Sequence, residues 1–231
     1  MFVYVSCTLL NYSCGTNFVT SPEHTLVGIH VAFAFGVHRY FGWRGVAIAG
    51  LASNIPDWDG LPMIFDMQRY ESGHRVWGHN VMSIVLTSLV LGMTQRRFDW
   101  IGRVGRRVAA RLPEATDGRR ETEVTHGNIM MSVCVGISLF AQIIHLPCDM
   151  VVSGGKGLSD WAIQPWWPFS NTAAVYPLIP WGDIGPTVIL MGGIIAIAKW
   201  RSHTSTFASL TLVALVGYLL LRGMTRGVLF V

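Results

Sequence analysis

Two histidines and an arginine stand directly in front of a long apolar run, in the stretch GHRVWGHN at residues 73–80. Imidazole rings bind metal ions and transfer protons near neutral pH, and a guanidinium group neutralises an anion. His74 and His79 are five residues apart, about 140° around a regular α-helix, so both cannot face one ion from such a helix. The two glycines of the stretch predict a non-helical approach that carries His74, with His79 in the first helical turn.

A pair of carboxylates lies upstream, in the stretch IPDWDG at residues 55–60. An extended backbone after its proline would point the side chains of Asp57 and Asp59 the same way. Taken alone, Asp57 is better explained as a turn or helix-capping residue, because the stretch is rich in turn formers.

A third polar group, in the stretch HLPCDM at residues 145–150, lies near the end of another apolar run. His145 and Asp149 are four residues apart, which places them on one face of a continuous helix and within reach of one ion. Pro147 removes a backbone donor between them and predicts a kink or a restart of the helix.

Together with an early histidine, these groups predict a metal site. Imidazole combined with carboxylate suits a divalent ion, with zinc as our first expectation and manganese or non-haem iron as alternatives. The four cysteines form no CxxC pair, which argues against a structural zinc site. The candidates exceed the four ligands of one tetrahedral ion, so a second metal or supporting roles stay open. The candidate ligands are His24, Asp57, Asp59, His74, His79, His145 and Asp149.

The elements that must position these residues are apolar helices. The chain of 231 residues is 51% hydrophobic and 13% charged, whereas soluble domains average about 25% charged residues. This composition predicts an all-α, polytopic integral-membrane bundle of about four to six helices. Residues 76–94 and 127–146 reach the length of a span. The other apolar runs are shorter, and the first two predict a hairpin with a basic turn at residues 38–45; these runs are residues 26–41, 45–55, 187–198 and 207–221.

Positive charge is concentrated in one connection, because eight of the seventeen Lys and Arg residues fall between Arg96 and Arg120. The positive-inside rule makes residues 95–125 a cytoplasmic loop. Within it, Ile101, Val104 and Val108 share one helical face, which predicts a basic amphipathic helix lying on an anionic leaflet. A solvated Arg-rich helix or a nucleic-acid contact is the alternative, although we expect no nucleic acid as a partner. This orientation places the metal site at the non-cytoplasmic end.

Aromatic residues gather after the last polar group, in SDWAIQPWWPFSN at residues 159–171. Tryptophan is enriched where a membrane meets water. We interpret the segment as an interfacial aromatic loop, with covering of the site as the alternative.

The order and context of these motifs resemble the LexA-regulated, membrane-bound metal-dependent hydrolase family of bacterial inner-membrane proteins. That family typically shows Leu-Pro-Asp-Ile-Asp, then His-Arg-Gly-x-Thr-His-Ser, then Ser-His-x-x-x-Asp, and the resemblance covers residues 21–170. It implies a distant similarity to zinc-dependent phospholipases C, and it makes Asp59 and Arg75 accompanying motif residues. The six metal ligands that the resemblance predicts are His24, Asp57, His74, His79, His145 and Asp149. The chain departs from the family motifs at Val76, Gly78, Asn80 and Ile144.

The resemblance and the motifs together predict a metal-dependent hydrolase in the inner membrane, acting on a phosphoester or another lipid-linked bond. Asp57 or Asp59 would bridge metals or accept the proton of water, and Arg75 would neutralise charge on a phosphoryl oxygen. The rivals are a membrane protein that binds or transports a metal ion without catalysis, and a catalytically silent relative. We expect one domain over residues 21–226, preceded by an extension at residues 1–20.

Overall fold

The computed structural model describes residues 21–109, 129–154 and 160–230, and this part of the chain is helical with no β-strand. The predicted extension at residues 1–20 and the basic loop after residue 109 lie outside the described residues. The α-helices of the described part are α1 Ser21–Ala34, α2 Val37–Ala52, α3 Met67–Gly73, α4 Val81–Phe98, α5 Trp100–Ala109, α6 Met131–Val151, α7 Gly185–Lys199 and α8 Thr204–Thr225. Short 3₁₀ helices cover Ile55–Ile64, Arg201–His203 and Val228–Phe230.

Helices α1 and α2 form the predicted hairpin, but the chain reverses earlier than expected. Gly36 takes a left-handed conformation, with φ of 71°, and α2 begins at the next residue. The whole of the predicted basic turn therefore lies inside α2, where Gly42 interrupts the helix with φ of 62°. The two helices approach closely at Gly28, since a Cβ there would overlap the Ser53 side chain.

Helices α4 and α6 form a second pair, and polar side chains connect them. The Gln142 amide donates to the hydroxyl oxygens of Ser88 and Ser138, at 2.9 and 3.0 Å, and Thr87 donates to the Gln142 carbonyl oxygen at 2.8 Å. Each of these groups is satisfied within the pair, which is how polar residues join helices in an apolar surrounding.

Large apolar side chains are exposed on the outer faces of α4, α6, α7 and α8, while serine and glutamine are buried between helices. A surface of this kind fits lipid rather than water. Two helices, Met131–Val151 and Arg201–Thr225, are long and apolar enough to cross a membrane, and Gly185–Lys199 is a shorter apolar helix. The exposed residues include Val85, Leu86, Val90, Phe140, Ile143, Val188, Ile195, Val213 and Val216.

One predicted boundary was wrong. The helix predicted over residues 76–94 begins only at Val81, because Asn80 caps it through a hydrogen bond from the Ser83 amide at 2.8 Å. The apolar face predicted for α5 is divided, since Ile101 is buried against the bundle whereas Val104 and Val108 are exposed.

Candidate metal centre

Four segments distant in sequence bring the predicted site residues to the same end of the helices. The start of α1 supplies His24, and the first 3₁₀ helix supplies Asp57 and Asp59. The segment between α3 and α4 supplies His74, Arg75 and His79, and the last turns of α6 supply His145 and Asp149.

The nitrogen and oxygen atoms of these segments converge on Asp149. Its carboxylate lies 3.0 Å from His24 Nε2, 2.8 Å from His79 Nε2 and 3.6 Å from His145 Nε2. Asp57 Oδ1 lies 3.5 Å from both His79 Nε2 and His145 Nε2. One ligand atom from each of His24, Asp57, His145 and Asp149 lies within 4.8 Å of the others, so the group can hold a metal ion.

The other ring nitrogens of His79 and His145 fix how these two imidazoles are protonated. His145 Nδ1 lies 2.6 Å from the Ser53 carbonyl oxygen, and this oxygen only accepts, so Nδ1 carries the proton. His79 Nδ1 likewise donates to Asp59 Oδ2 at 3.0 Å. In the neutral rings both Nε2 atoms then present lone pairs, yet these atoms lie 3.0 Å apart and face carboxylate oxygens. A proton on one of the Nε2 atoms or a metal ion between them satisfies these acceptors.

Asp59 is fully buried and orients the residues around it. Its two oxygens accept hydrogen bonds from His74 Nδ1 at 2.9 Å, from His79 Nδ1 at 3.0 Å and from the Gly78 amide at 2.8 Å. Burial by itself raises the pKa of Asp59, but the hydrogen bonds from the two histidines outweigh it and lower this pKa to about 2. Asp59 is therefore a carboxylate at neutral pH.

The carboxylates of the site also change the pKa of His79. Burial disfavours the charged imidazole, but hydrogen bonds to Asp149, Asp57 and Asp59 raise the pKa of His79 well above its ordinary value. The same negative surroundings that stabilise an extra proton on this ring also stabilise a divalent cation beside it.

His74 lies beside the ligand group rather than in it. Its ring stacks on Tyr70 at 4.9 Å and packs edge-on against Trp161 at 4.9 Å between centroids. The hydrogen bond to Asp59 turns Nδ1 toward that carboxylate. The structure thus brings together five of the six predicted ligands and leaves His74 as the neighbour of Asp59.

Arg75 is buried and its guanidinium contacts protein groups. Nη1 donates to the carbonyl oxygens of Asp149 at 3.1 Å and Trp161 at 2.8 Å, and the group stacks over the Trp181 ring at 4.7 Å. Nε lies 3.5 Å from Asp149 Oδ2. The backbone of Arg75 has φ of 64°, a strained conformation for a residue with a side chain, and such strain persists where surrounding contacts hold it.

The separations match those expected around one ion. Ligands about 2.0 Å from a tetrahedral ion lie about 3.3 Å from one another, and the distances from His79 and His145 to the carboxylates run from 2.8 to 3.6 Å. His24 Nε2 and Asp57 Oδ2 are buried and have no hydrogen-bond partner. The Asp57 side chain is 21% exposed, although its Oδ2 atom is buried, whereas His79 and His145 are fully buried, so Asp57 is the most exposed member of the group.

The local backbone differs from the predictions in three places. Asp57 and Asp59 lie on a 3₁₀ helix rather than an extended segment, because Pro56 fits the first turn of a helix, and only Asp59 is fully buried. His79 precedes the Asn80 cap instead of entering the first turn of α4. Helix α6 continues through Pro147 without a restart, which keeps its two ligands on one face.

Sequence reasoning missed the Ser53 carbonyl and the cap at Asn80. Every residue has a backbone carbonyl, so the sequence does not indicate that the carbonyl of Ser53 orients a histidine. Asn80 had a signal, because an asparagine directly before an apolar run is a typical helix cap. Its amide group also donates to the Val76 and Trp77 carbonyl oxygens, each at 2.8 Å, which closes the turn that presents His79.

An all-helical fold with apolar outer faces and a buried His and Asp cluster defines a membrane protein with a site that can bind metal. The chain belongs to the YdjM inner membrane protein family, whose model matches residues 19–229. This match supports the predicted inner-membrane location. Comparison with curated proteins and with solved structures gave no match.

Proposed function

We propose that the protein is a metal-dependent hydrolase of the inner membrane that cleaves a phosphoester or another lipid-linked bond. The ion would be held by His24, Asp57, His79, His145 and Asp149, with zinc as the first expectation and manganese or iron as alternatives. The resemblance of the motifs to the LexA-regulated metal-dependent hydrolases supports the same reaction class.

One observation carries the proposal. His79 and His145 bring their Nε2 atoms to 3.0 Å from each other, beside the carboxylates of Asp57 and Asp149, and each ring is fixed from behind by an acceptor on Nδ1. A carboxylate or a carbonyl on the far nitrogen is the usual arrangement behind a metal-binding histidine.

The exposed side of the group is suited to hydrolysis. A bound divalent ion lowers the pKa of water toward about 7 and polarises the attacked centre. Asp57 has one oxygen in the ligand group and a second oxygen without a hydrogen-bond partner, so Oδ2 is free to accept the proton of the attacking water. Asp59 would hold His79 in position, and Arg75 would hold the Asp149 end of α6.

The dimensions of α4 support an orientation in the bilayer. Its 18 residues span about 27 Å at about 1.5 Å per residue, close to the hydrocarbon thickness of about 30 Å. The candidate site lies at the start of α4, and the basic helix α5 follows its end. Placing α5 on the cytoplasmic leaflet therefore puts the site at the non-cytoplasmic face.

Transport of an ion is the alternative, and it requires ligands through the depth of the helices. Helix α4 contains no histidine, aspartate or glutamate, and α6 contains none before His145. The polar side chains between these helices are uncharged and bonded to one another. In α4 and α6 the candidate ligands are therefore confined to one end, which favours a site over a path, and His30 of α1 is the buried histidine that lies deeper in a helix.

Asp57→Asn separates a hydrolase from a protein that only binds metal. We expect this variant to keep its metal, because Oδ1 is retained, while hydrolysis of bis-p-nitrophenyl phosphate by purified protein falls about 100-fold or more. Asp160→Asn, at an exposed carboxylate, is the control and should match the wild type. A wild-type protein that carries metal but shows no chelator-sensitive hydrolysis would contradict the hydrolase proposal.

A further inference from the structure

We propose that the groove between the start of α4 and the aromatic loop binds the hydrocarbon chain of an anionic, phosphate-bearing lipid whose head group reaches the metal site. This inference rests on the proposed function and names the class of substrate for the same site. It goes beyond that function by placing the hydrocarbon chain of the lipid in the groove and by naming the side chains that recognise it.

The groove is apolar and large enough for part of a ligand. Its volume is about 360 Å³, within the range of about 300 to 1,000 Å³ typical of small-molecule sites. One wall is the first turns of α4 and the other is the aromatic loop. The lining residues are Val81, Met82, Val85, Leu86, Pro165, Trp166, Trp167 and Phe169.

The groove begins next to the site. Val81 is two residues after His79, and its amide donates to the Pro165 carbonyl oxygen at 3.0 Å, which fixes the loop against the start of α4. On the same turn, Ser83 accepts a hydrogen bond from the Trp58 indole at 3.2 Å, and Trp58 follows Asp57 directly. A molecule bound to the exposed side of the metal group would therefore meet the upper end of the groove.

The groove is continuous with the apolar outer face of α4. Val85 and Leu86 line the groove and are exposed, and Leu89, Val90 and Met93 continue the exposed apolar surface along the helix. A surface of this kind faces the bilayer in an inner-membrane protein. The groove therefore opens toward lipid chains, whereas a water-soluble substrate would make no use of it.

The metal site and the groove each suit a different part of one ligand. At the metal end, a bound divalent ion would attract an anionic phosphate group. At the groove end, the lining contains only apolar and aromatic side chains, which recognise a hydrocarbon chain. A single molecule that satisfies both ends is an amphiphile with a phosphate head and an apolar tail.

The alternative is that Trp166 and Phe169 only anchor the loop at the membrane surface, as exposed aromatic residues commonly do. An anchor would contact bulk lipid, and the hydrocarbon chain of that lipid would have no connection to a ligand bound at the metal site. The two roles therefore differ in whether filling the groove changes the affinity of a ligand bound at the metal.

The test compares two hydrolysis-resistant probes, dodecylphosphonate and methylphosphonate. Their binding to the metal-loaded full chain in phosphatidylcholine nanodiscs is measured by calorimetry, with empty nanodiscs subtracted for partitioning. The groove variants are Val85→Trp and, as a second filling, Leu86→Trp. Val90→Trp is the matched control, because it makes the same substitution on the same exposed surface outside the groove.

We expect dodecylphosphonate to bind the wild type and Val90→Trp at least about tenfold more tightly than methylphosphonate, a difference of about 1.4 kcal/mol. In Val85→Trp and Leu86→Trp this preference should disappear, while methylphosphonate binds as in the wild type, which shows that the site itself is intact. An unchanged preference in both groove variants would overturn the inference and leave the loop as an anchor. If neither probe binds the metal-loaded wild type, the phosphoester chemistry of the proposed function fails as well.

Discussion

Asp59 is the residue on which the geometry of the site depends most. It accepts hydrogen bonds from both histidines of the GHRVWGHN stretch. The five-residue spacing, which prevents the two rings from facing one ion on a regular helix, allows both rings to contact this one carboxylate. In this arrangement His79 faces the ligand group and His74 supports Asp59 from the other side. The five-residue spacing thus places His79 as a candidate ligand and His74 as a hydrogen-bond donor to Asp59.

Replacing Asp59 with asparagine should weaken metal binding without removing a ligand atom. The substitution takes away the charge that fixes the His79 ring, and loss of such an orienting group typically lowers metal affinity about 10- to 100-fold. Competition with a fluorescent zinc chelator measures the affinity. Asp66→Asn is the control, because Asp66 is an exposed carboxylate that caps α3. Equal affinity in Asp59→Asn and the wild type would exclude the orienting role.

The candidate residues themselves could be predicted from the sequence, because histidine and carboxylate beside apolar runs are rare and costly. Their division into ligands and supports could not be predicted. His74 and His79 have the same side chain, and only the path of the backbone decides which ring faces Asp149. The Ser53 carbonyl, which fixes His145, carries no side-chain signal at all.

At the scale of elements, the close approach of the first 3₁₀ helix to the segment before α4 sets the position of the site. Gly78 lies where they meet, and a Cβ at this position would overlap the Pro56 carbonyl oxygen and lie 3.1 Å from Asp59 Cγ. The backbone must therefore pass without a side chain here. In this chain the position therefore requires glycine, whereas the resembling family typically has threonine there.

Gly78→Ala should separate the two elements and damage the site. We expect a loss of stability of about 1 to 3 kcal/mol from overpacking, seen as a lower midpoint of thermal unfolding in detergent, together with weaker zinc binding. Gly136→Ala on α6 is the matched control, since nothing lies within 4 Å of a Cβ there and alanine favours a helix. Similar behaviour of both variants would show that the approach at Gly78 is not essential.

The existence of the helices followed from the sequence more closely than their ends did. Apolar runs predicted α1, α4, α6, α7 and α8. Their boundaries depended on single residues. The left-handed Gly36 places the reversal of the first hairpin earlier than predicted, and the Asn80 cap places the start of α4 later than predicted. The 3₁₀ helix at residues 55–64 was missed because its proline favours an extended segment as readily as the start of a helix.

At the scale of the molecule, the account places α5 and the candidate site on opposite faces of the inner membrane. This can be tested by labelling single cysteines in a chain whose four native cysteines are replaced by serine. Ser170→Cys on the aromatic loop should react with a membrane-impermeant maleimide in cells with a permeabilised outer membrane. Arg103→Cys on α5 should react only after the inner membrane is also opened. The reverse pattern would place the site in the cytoplasm.

Metal content tests the central claim most directly. The full chain, purified in detergent without added metal, should contain a divalent ion detectable by mass spectrometry, and His79→Ala and His145→Ala should lose most of it. His203→Ala, at an exposed histidine far along the chain, should retain the wild-type content, and gel filtration confirms that each variant is folded. A wild type without bound metal even after zinc is supplied, or unchanged metal in both site variants, would contradict the account.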